Sequence, residues 1–190
     1  MFDVIQIIYW LALSTWFGGV LFISVAAPII MRTVREQNPV LPTILSVNLE
    51  GQHGTLLGGT IIARIMTVLF PVELACAGAM LIGLVGQWVL LPHDTARLVQ
   101  SLLRSALYLA AVVLLLYHWR IVWPRWSKYR QEYLDDADNP DVANPALDQF
   151  DKYQAESVSI LRNILFLLMG IILFSANIAR PGITLPGISP

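Results

Sequence analysis

Residues 66–91, MTVLFPVELACAGAMLIGLVGQWVLL, decide the fold of this chain. About 20 predominantly apolar residues in a helix cross the hydrocarbon core of a bilayer, because each residue adds about 1.5 Å. The run exceeds that length, and Glu73 is its one charged residue. It therefore predicts a transmembrane helix.

The composition of the whole chain agrees with this prediction. Of 190 residues 56% are hydrophobic and 13% are charged, and the mean hydropathy is +0.65, far from soluble averages. The net charge of −1 gives no basic excess that would favour nucleic acid. The single cysteine, Cys76, excludes an intramolecular disulfide and a two-cysteine zinc or redox motif. We expect it to be a small core residue.

Apolar runs predict an all-α integral membrane four-helix bundle of one domain. The expected transmembrane spans are residues 2–31, 66–91, 99–120 and 159–179. The N-terminal run has no preceding Lys or Arg and is too long for the hydrophobic region of a secretory signal, so it is expected to be retained. Segments 32–65 and 121–158 are expected on the cytoplasmic side, where they extend the helices, and 180–190 is expected to be an irregular tail.

Breaker residues place the helix ends. Residues 36–59 are rich in Gly and Pro and predict a cap with a short amphipathic helix around 43–50, after which helix two begins near Thr55. The acidic stretch DDADNPDVANPA, residues 135–146, predicts a loop. Asn144 then provides an N-cap with Pro145 at the first helical position. A kink at Pro124 is one expectation for helix three, and the chain is expected to remain helical to about Leu134.

Basic residues on short flanks predict the orientation in the membrane. One side has seven: Arg32, Arg35, Arg120, Arg125, Lys128, Arg130 and Lys152. The other side has Arg97 and Arg180. Both termini are therefore expected to face away from the cytoplasm, in a bacterial inner membrane, cytoplasmic or intracytoplasmic. Trp119, Trp123 and Trp126 lie among the basic residues and predict an interfacial aromatic belt.

Ionisable residues inside membrane helices are costly and usually face the bundle interior or water. Glu73 and Arg162 lie at similar depths, about one turn inside the cytoplasmic end of their helices, and are expected to pair. Arg64 is the competing partner. A structural ion pair that fixes helix register is the first interpretation, and a proton or cation site at Glu73 is the second.

Polar residues on the third helix share a face. Arg104, Tyr108 and His118 follow one another at steps of three and four together with Ala111 and Leu115, which places all of them on one side. That side is expected to point inward. The alternative for Arg104 is that its side chain snorkels to the outer interface.

Two further patterns predict helix packing. On helix four, Glu156, Asn163, Gly170 and Asn177 recur every seven residues, and this stripe should bind another helix or a polar ligand, because amides in lipid leave hydrogen bonds unmade. Small residues let helices approach closely in lipid. The small residues expected at such contacts are Gly18, Gly19, Ala75, Ala79, Gly83 and Gly86.

Histidines are the only candidates for a cofactor site. His53 and His118 fall on the same predicted side and could ligate a haem, whereas His93 falls on the other. Their spacing fits no two-histidine helical motif, so no cofactor is predicted, and a haem or quinone site stays an alternative. The chain has no catalytic triad order, phosphate loop or dinucleotide fingerprint. We therefore do not expect an enzyme.

Two short motifs resemble a known family. Helix one carries Trp16-Phe17-Gly18-Gly19 and then Ala27-Pro28, and the start of helix four carries Phe150-Asp151 followed by Ser157. These residues and the order of four helices resemble the uncharacterised four-helix membrane family that includes transmembrane protein 205 and bacterial relatives with a domain of unknown function. The family often has a histidine where this chain has Gln154. The resemblance implies a four-helix membrane protein and no known reaction.

These observations lead to a ranked expectation for function. The first hypothesis is a non-catalytic accessory or assembly subunit of a larger respiratory or photosynthetic membrane complex, whose partners are other membrane chains and lipid. The second is a small transporter or ion-handling protein that uses Glu73 and Arg162. The third is a membrane redox protein that binds haem or quinone.

Overall fold

The computed structural model describes residues 2–37, 53–90, 95–136 and 139–176. The helices are α1 Phe2–Gln37, α2 His53–Leu90, α3 Thr95–Tyr117, a π-helical turn His118–Val122, α4 Trp123–Asp135 and α5 Pro140–Ala176. Because α3, the π turn and α4 follow one another without a break, these segments form four helical rods. The predicted all-α four-helix bundle is confirmed.

All four rods are long and apolar enough to cross a membrane. The longest single helix has 38 residues, which is about 57 Å at 1.5 Å per residue, against about 30 Å of hydrocarbon. The outer surface is apolar on every rod, and Leu11, Ile82, Leu109 and Leu173 are each more than half exposed. These features mark a membrane protein whose helices extend beyond the bilayer.

Close contacts define how the rods run. Against α2, Gly19 meets Leu69 and Tyr9 meets Gly83, so α1 and α2 are antiparallel. The hydroxyl of Tyr117 on α3 donates to Glu156 on α5 at 2.6 Å.

The end of the bundle where α1 ends and α2 begins is called the basic end below, because Arg32, Arg35 and the basic residues of α4 lie towards it. The other is called the opposite end.

Half of the predicted small-residue contacts are formed between α1 and α2. Gly19, Gly83 and Gly86 lie against Leu69, Tyr9 and Ile5, and Ala79 packs partly buried against the core. Gly18 and Ala75 are both exposed, so the prediction that they pack against another helix is wrong within this chain. Gly18 lies about 100° around the helix from Gly19, and a four-residue stripe rotates by about 40° per step, which turns Ala75 away from α1.

The start of α5 differs from the prediction. The helix begins at Pro140, within the predicted loop, and Asn144 and Pro145 lie within the helix. Asn139-Pro140 carries the same cap signal five residues earlier, and the Asn139 carbonyl accepts the Ala143 N–H at 2.9 Å. Burial of Ala143 and Ala146 against Tyr133 of α4 stabilises the additional turn.

Other predicted boundaries are close to the observed ones or lie outside the described residues. Helix α1 continues to Gln37 and α2 begins at His53, two residues before the expected Thr55. The short helix expected around 43–50 and the tail 180–190 lie outside the described residues. Residues 91 and 177–179, the ends of two predicted spans, do so as well.

Pro124 produces a π turn. Because proline has no N–H, it cannot bond to the Arg120 carbonyl four residues earlier. The preceding N–H, that of Trp123, bonds instead to the His118 carbonyl five residues back. The π turn contains one residue more than an α-helical turn. Beyond it, Trp123 and Trp126 point inward. The predicted interfacial belt is therefore wrong for Trp126, which is buried, whereas Trp119 is exposed and its place at the interface stays a prediction.

Candidate functional site

Glu73 is the only acidic side chain in the buried core of the described residues. It is 1% exposed, and neither carboxyl oxygen has a hydrogen-bond partner among the described residues. It sits on α2 one turn from the buried Phe70, away from the water that normally stabilises a carboxylate. Burying a carboxylate without a partner is very costly. A carboxyl group in this place therefore needs a proton or a bound cation.

The expected ion pair of Glu73 with Arg162 is not formed. The ion pairs of the described residues are Arg32–Glu36 and Lys128–Glu132, both on the surface. Arg162 is exposed and lines a cleft, and the competing partner Arg64 is exposed as well. Similar depth in the membrane was the basis of the prediction, but the two arginines point away from the side of the bundle that holds Glu73.

His118 is buried in the core at the first residue of the π turn. It is 0% exposed, and its ring packs against Phe70 with centroids 5.0 Å apart. Its Nε2 shares a hydrogen bond with the Ser157 hydroxyl on α5 at 2.7 Å. Its Nδ1 is buried and has no partner among the described residues. Because Phe70 is one turn from Glu73, the imidazole lies about one turn nearer the basic end than the carboxyl group.

Trp16 completes this layer from α1. The contacts of Gly19 with Leu69 and of Tyr9 with Gly83 set Trp16 at about the level of Glu73. The indole is 0% exposed, and its Nε1 donor also lacks a partner among the described residues. Trp16, Glu73, His118 and Ser157 thus bring polar groups from all four rods into one region, which is called the core polar site below.

The predicted inward face of α3 is confirmed. Arg104, Tyr108, Ala111, Leu115 and His118 are all buried. The alternative that Arg104 snorkels to the interface is wrong, since this residue is 1% exposed. Its guanidinium carbon lies 5.5 Å from the ring centroid of Tyr9, a cation–π geometry. The Tyr9 hydroxyl in turn lies 3.1 Å from the Ser175 hydroxyl.

This second polar cluster lies towards the opposite end, away from the core polar site. Gln87 is buried there, and its carbonyl oxygen and the Nε of Arg104 have no partner among the described residues. Between the two clusters, the Tyr108 hydroxyl donates to the Ala77 carbonyl at 2.8 Å. Polar side chains therefore occur at several levels along the interior of an otherwise apolar bundle.

The polar stripe of α5 is only partly used for packing within the chain. Glu156 accepts the Tyr117 hydroxyl, and Gly170 lies against Leu107. Asn163, between them, is exposed, so the prediction that it packs against another helix is wrong within this chain. Asn177 lies outside the described residues.

The histidine pair proposed for a haem is described only in part. His53 begins α2, but its side chain lies outside the described residues, as does His93. Within the described residues, no group of three or more His, Cys, Asp or Glu side chains could hold a metal ion. Cys76 is buried, as predicted. The haem or quinone alternative stays a prediction.

Sequence reasoning found Glu73 and His118 but not their surroundings. In the sequence, Trp16 and Ser157 stand out only as residues of the two motifs, and their spacing does not indicate that they face the interior. Chemically, the core polar site offers a carboxyl group and an imidazole nitrogen that can each take or release a proton, and a hydroxyl that connects the imidazole to the cleft that Ser157 also lines.

Comparisons of the chain with protein-family models, with curated proteins and with solved structures found no match.

Proposed function

We propose that this protein is an ion-handling membrane protein that takes up a proton or a small cation at Glu73. The observation that carries the proposal is the fully buried carboxyl group without a hydrogen-bond partner among the described residues. Ionisable residues in such positions commonly mark ion pathways and proton relays. Structural carboxylates are instead paired or hydrogen-bonded, and among the described residues this one is neither.

The neighbours of Glu73 support a proton more than a metal cation. A proton needs one acceptor at a time and a chain of hydrogen-bonding groups, whereas metal cations need several oxygen ligands. The Ser157 hydroxyl and the His118 imidazole provide the first links of such a chain, from the cleft at the basic end to His118 Nδ1, which like the Glu73 carboxyl group has no partner among the described residues. Arg162, which the second hypothesis included, lines the cleft where this route begins but is not part of the hydrogen-bonded chain.

Reconstituted vesicles test the proposal. The purified full chain should dissipate an imposed pH gradient, as followed by a trapped pH-sensitive dye, and Glu73→Gln should reduce the rate to that of empty vesicles. Glu36→Gln is the matched control, because that carboxylate forms an exposed surface pair with Arg32. Equal rates for the wild type and Glu73→Gln would contradict the role of Glu73 in proton uptake.

A second candidate function is the accessory or assembly subunit of a larger membrane complex. The exposed amide of Asn163 on a membrane-spanning helix favours it, because lipid cannot satisfy an amide. The exposed Gly18 and Ala75 leave two further places where another helix could approach closely. If this function is correct, partner chains co-purify in mild detergent with the wild type, and Asn163→Leu reduces their yield. Purification of the wild type alone would count against it.

We also propose an orientation and a location for the protein. We place both termini away from the cytoplasm and the basic end inside it, in a bacterial inner membrane, because Lys and Arg are enriched on cytoplasmic flanks. Membership of the four-helix family that includes transmembrane protein 205 is likewise proposed from Trp16-Phe17-Gly18-Gly19 and the α5 motif alone.

A further inference from the structure

A cleft of about 420 Å³ lies between α1 and α5 towards the basic end, with α2 and α4 behind it. Buried side chains form its floor, among them Ile23, Met66 and Leu161, whereas exposed residues such as Pro28 and Val158 form its rim. Small-molecule sites commonly occupy about 300–1,000 Å³. Because the rim is exposed, a ligand can enter sideways from the surrounding membrane.

The charged residues of this cleft have one sign. Arg35 near the end of α1 and Arg162 on α5 both line it, and no Asp or Glu is among its described lining residues. The side chain of Gln154 lies on the same wall and adds hydrogen-bonding capacity. An apolar floor with two cations above it is complementary to a molecule that has an apolar body and an acidic group.

Arg162 also needs an explanation of its own. It lies six residues beyond Glu156, inside the apolar part of α5, and its exposed side chain forms no ion pair with a described acidic residue. An unpaired arginine at such a depth is costly unless it reaches the interface or meets an anion. The phosphate groups of the surrounding bilayer are the anions nearest at hand.

We propose that this cleft binds one phospholipid with an acidic headgroup. The headgroup is held between Arg35 and Arg162, and one acyl chain lies along the apolar floor towards Ile23 and Leu165. Arginine suits this role, because its planar guanidinium binds phosphate oxygens in a bidentate manner. The proposal does not depend on the role of Glu73.

Native mass spectrometry of the full chain in mild detergent tests the proposal with two lipids of identical acyl chains. Phosphatidylglycerol should bind once per chain and roughly tenfold more tightly than phosphatidylcholine, because both lipids carry a phosphate but Arg35 and Arg162 repel the choline cation of the second. Arg162→Gln should weaken phosphatidylglycerol by a similar factor, since a hydrogen bond to a charged group is worth about one decade of affinity. Arg64→Gln is the matched control, because Arg64 is also exposed but lies outside the cleft.

Two further arms separate a lipid from a free anion. Ala27→Phe, which fills part of the apolar wall, should reduce phosphatidylglycerol binding at an unchanged melting temperature. Glycerol 3-phosphate, which has the phosphate but no acyl chain, should not displace the lipid. Equal affinity for the two lipids, an unchanged Arg162→Gln variant, or displacement by glycerol 3-phosphate would each overturn the proposal.

Discussion

At the scale of single residues, the buried carboxyl group of Glu73 lowers the stability of the folded bundle, and we propose that it is retained for function. Its buried oxygens without partners among the described residues destabilise the folded bundle relative to an apolar side chain of the same size. Proteins retain such destabilising groups mainly where function needs them. A structural residue and a functional residue therefore respond in opposite ways to the same apolar substitution.

Glu73→Met should raise the free energy of unfolding by about 1–3 kcal/mol, because the replacement removes an unsatisfied buried polar group at nearly constant volume. The same variant should lose proton flux in vesicles. Unfolding by titration with a denaturing detergent measures the first effect. Glu36→Met, at an exposed site, should change neither quantity, and a destabilised Glu73→Met variant would show that the carboxyl group is structural.

Ser157 is expected to support His118. Ser157→Ala removes the hydroxyl that lies 2.7 Å from Nε2 and leaves both ring nitrogens buried without a partner among the described residues. The free energy of unfolding should fall by about 1–3 kcal/mol, measured by the same titration. Ser159→Ala, at an exposed position two residues on, is the control. Equal effects of the two substitutions would refute the role of the Ser157 hydroxyl.

The wrong pairing of Glu73 with Arg162 has a physical cause. Depth in a membrane follows from position along a helix, at about 1.5 Å per residue, so the sequence places both residues at similar levels. The direction in which each points depends on how the helices rotate and pack. In a soluble helix an apolar stripe reveals that direction, but here the lipid-facing and core-facing positions of α5 are both apolar.

At the scale of helices, the inward face of α3 can be predicted because the polar residues of this helix lie on one side. Arg104, Tyr108 and His118 are costly in lipid, so their shared spacing identified the inward side, and the structure confirms it. The π turn was not predictable in the same way. Pro124 indicated a disturbance, but whether a helix kinks, breaks or widens depends on the packing around it.

Gly83 and Gly78 make a matched test of the contact between α1 and α2. A Cβ on Gly83 would lie 2.8 Å from the Tyr9 Cβ, an atom close to the α1 backbone, whereas a Cβ on Gly78 would meet no atom within 4 Å. Gly83→Ala should lower the free energy of unfolding by about 1–3 kcal/mol through overpacking. Gly78→Ala should raise it by about 0.5–1 kcal/mol through helix propensity. The reverse order would show that the helices are not packed as described.

At the scale of the whole molecule, four long apolar runs were enough to predict the bundle, because only helices and closed barrels satisfy backbone groups in lipid. Which side chains meet in the interior could not be predicted from the sequence. The core polar site draws one residue from each rod, and no pattern within a single helix indicates which residues of different helices meet.

At this scale, chemical labelling from one side of the membrane tests the orientation of the whole molecule in the bilayer. In the proposed topology Lys128 lies inside the cell and Asp3 outside, and both side chains are exposed. Lys128→Cys should therefore react with a membrane-impermeant maleimide only after intact cells are permeabilised, whereas Asp3→Cys should react before. Losing Lys128 removes its surface pair with Glu132 and its cation–π contact with Tyr129, each worth about 0–1 kcal/mol at an exposed site. The native Cys76 is buried in the core and serves as an internal control that stays unlabelled while the bundle is folded. Labelling of Lys128→Cys in intact cells would show that the topology is the reverse, and the proposed proton route through Ser157 and His118 would then open on the outer side.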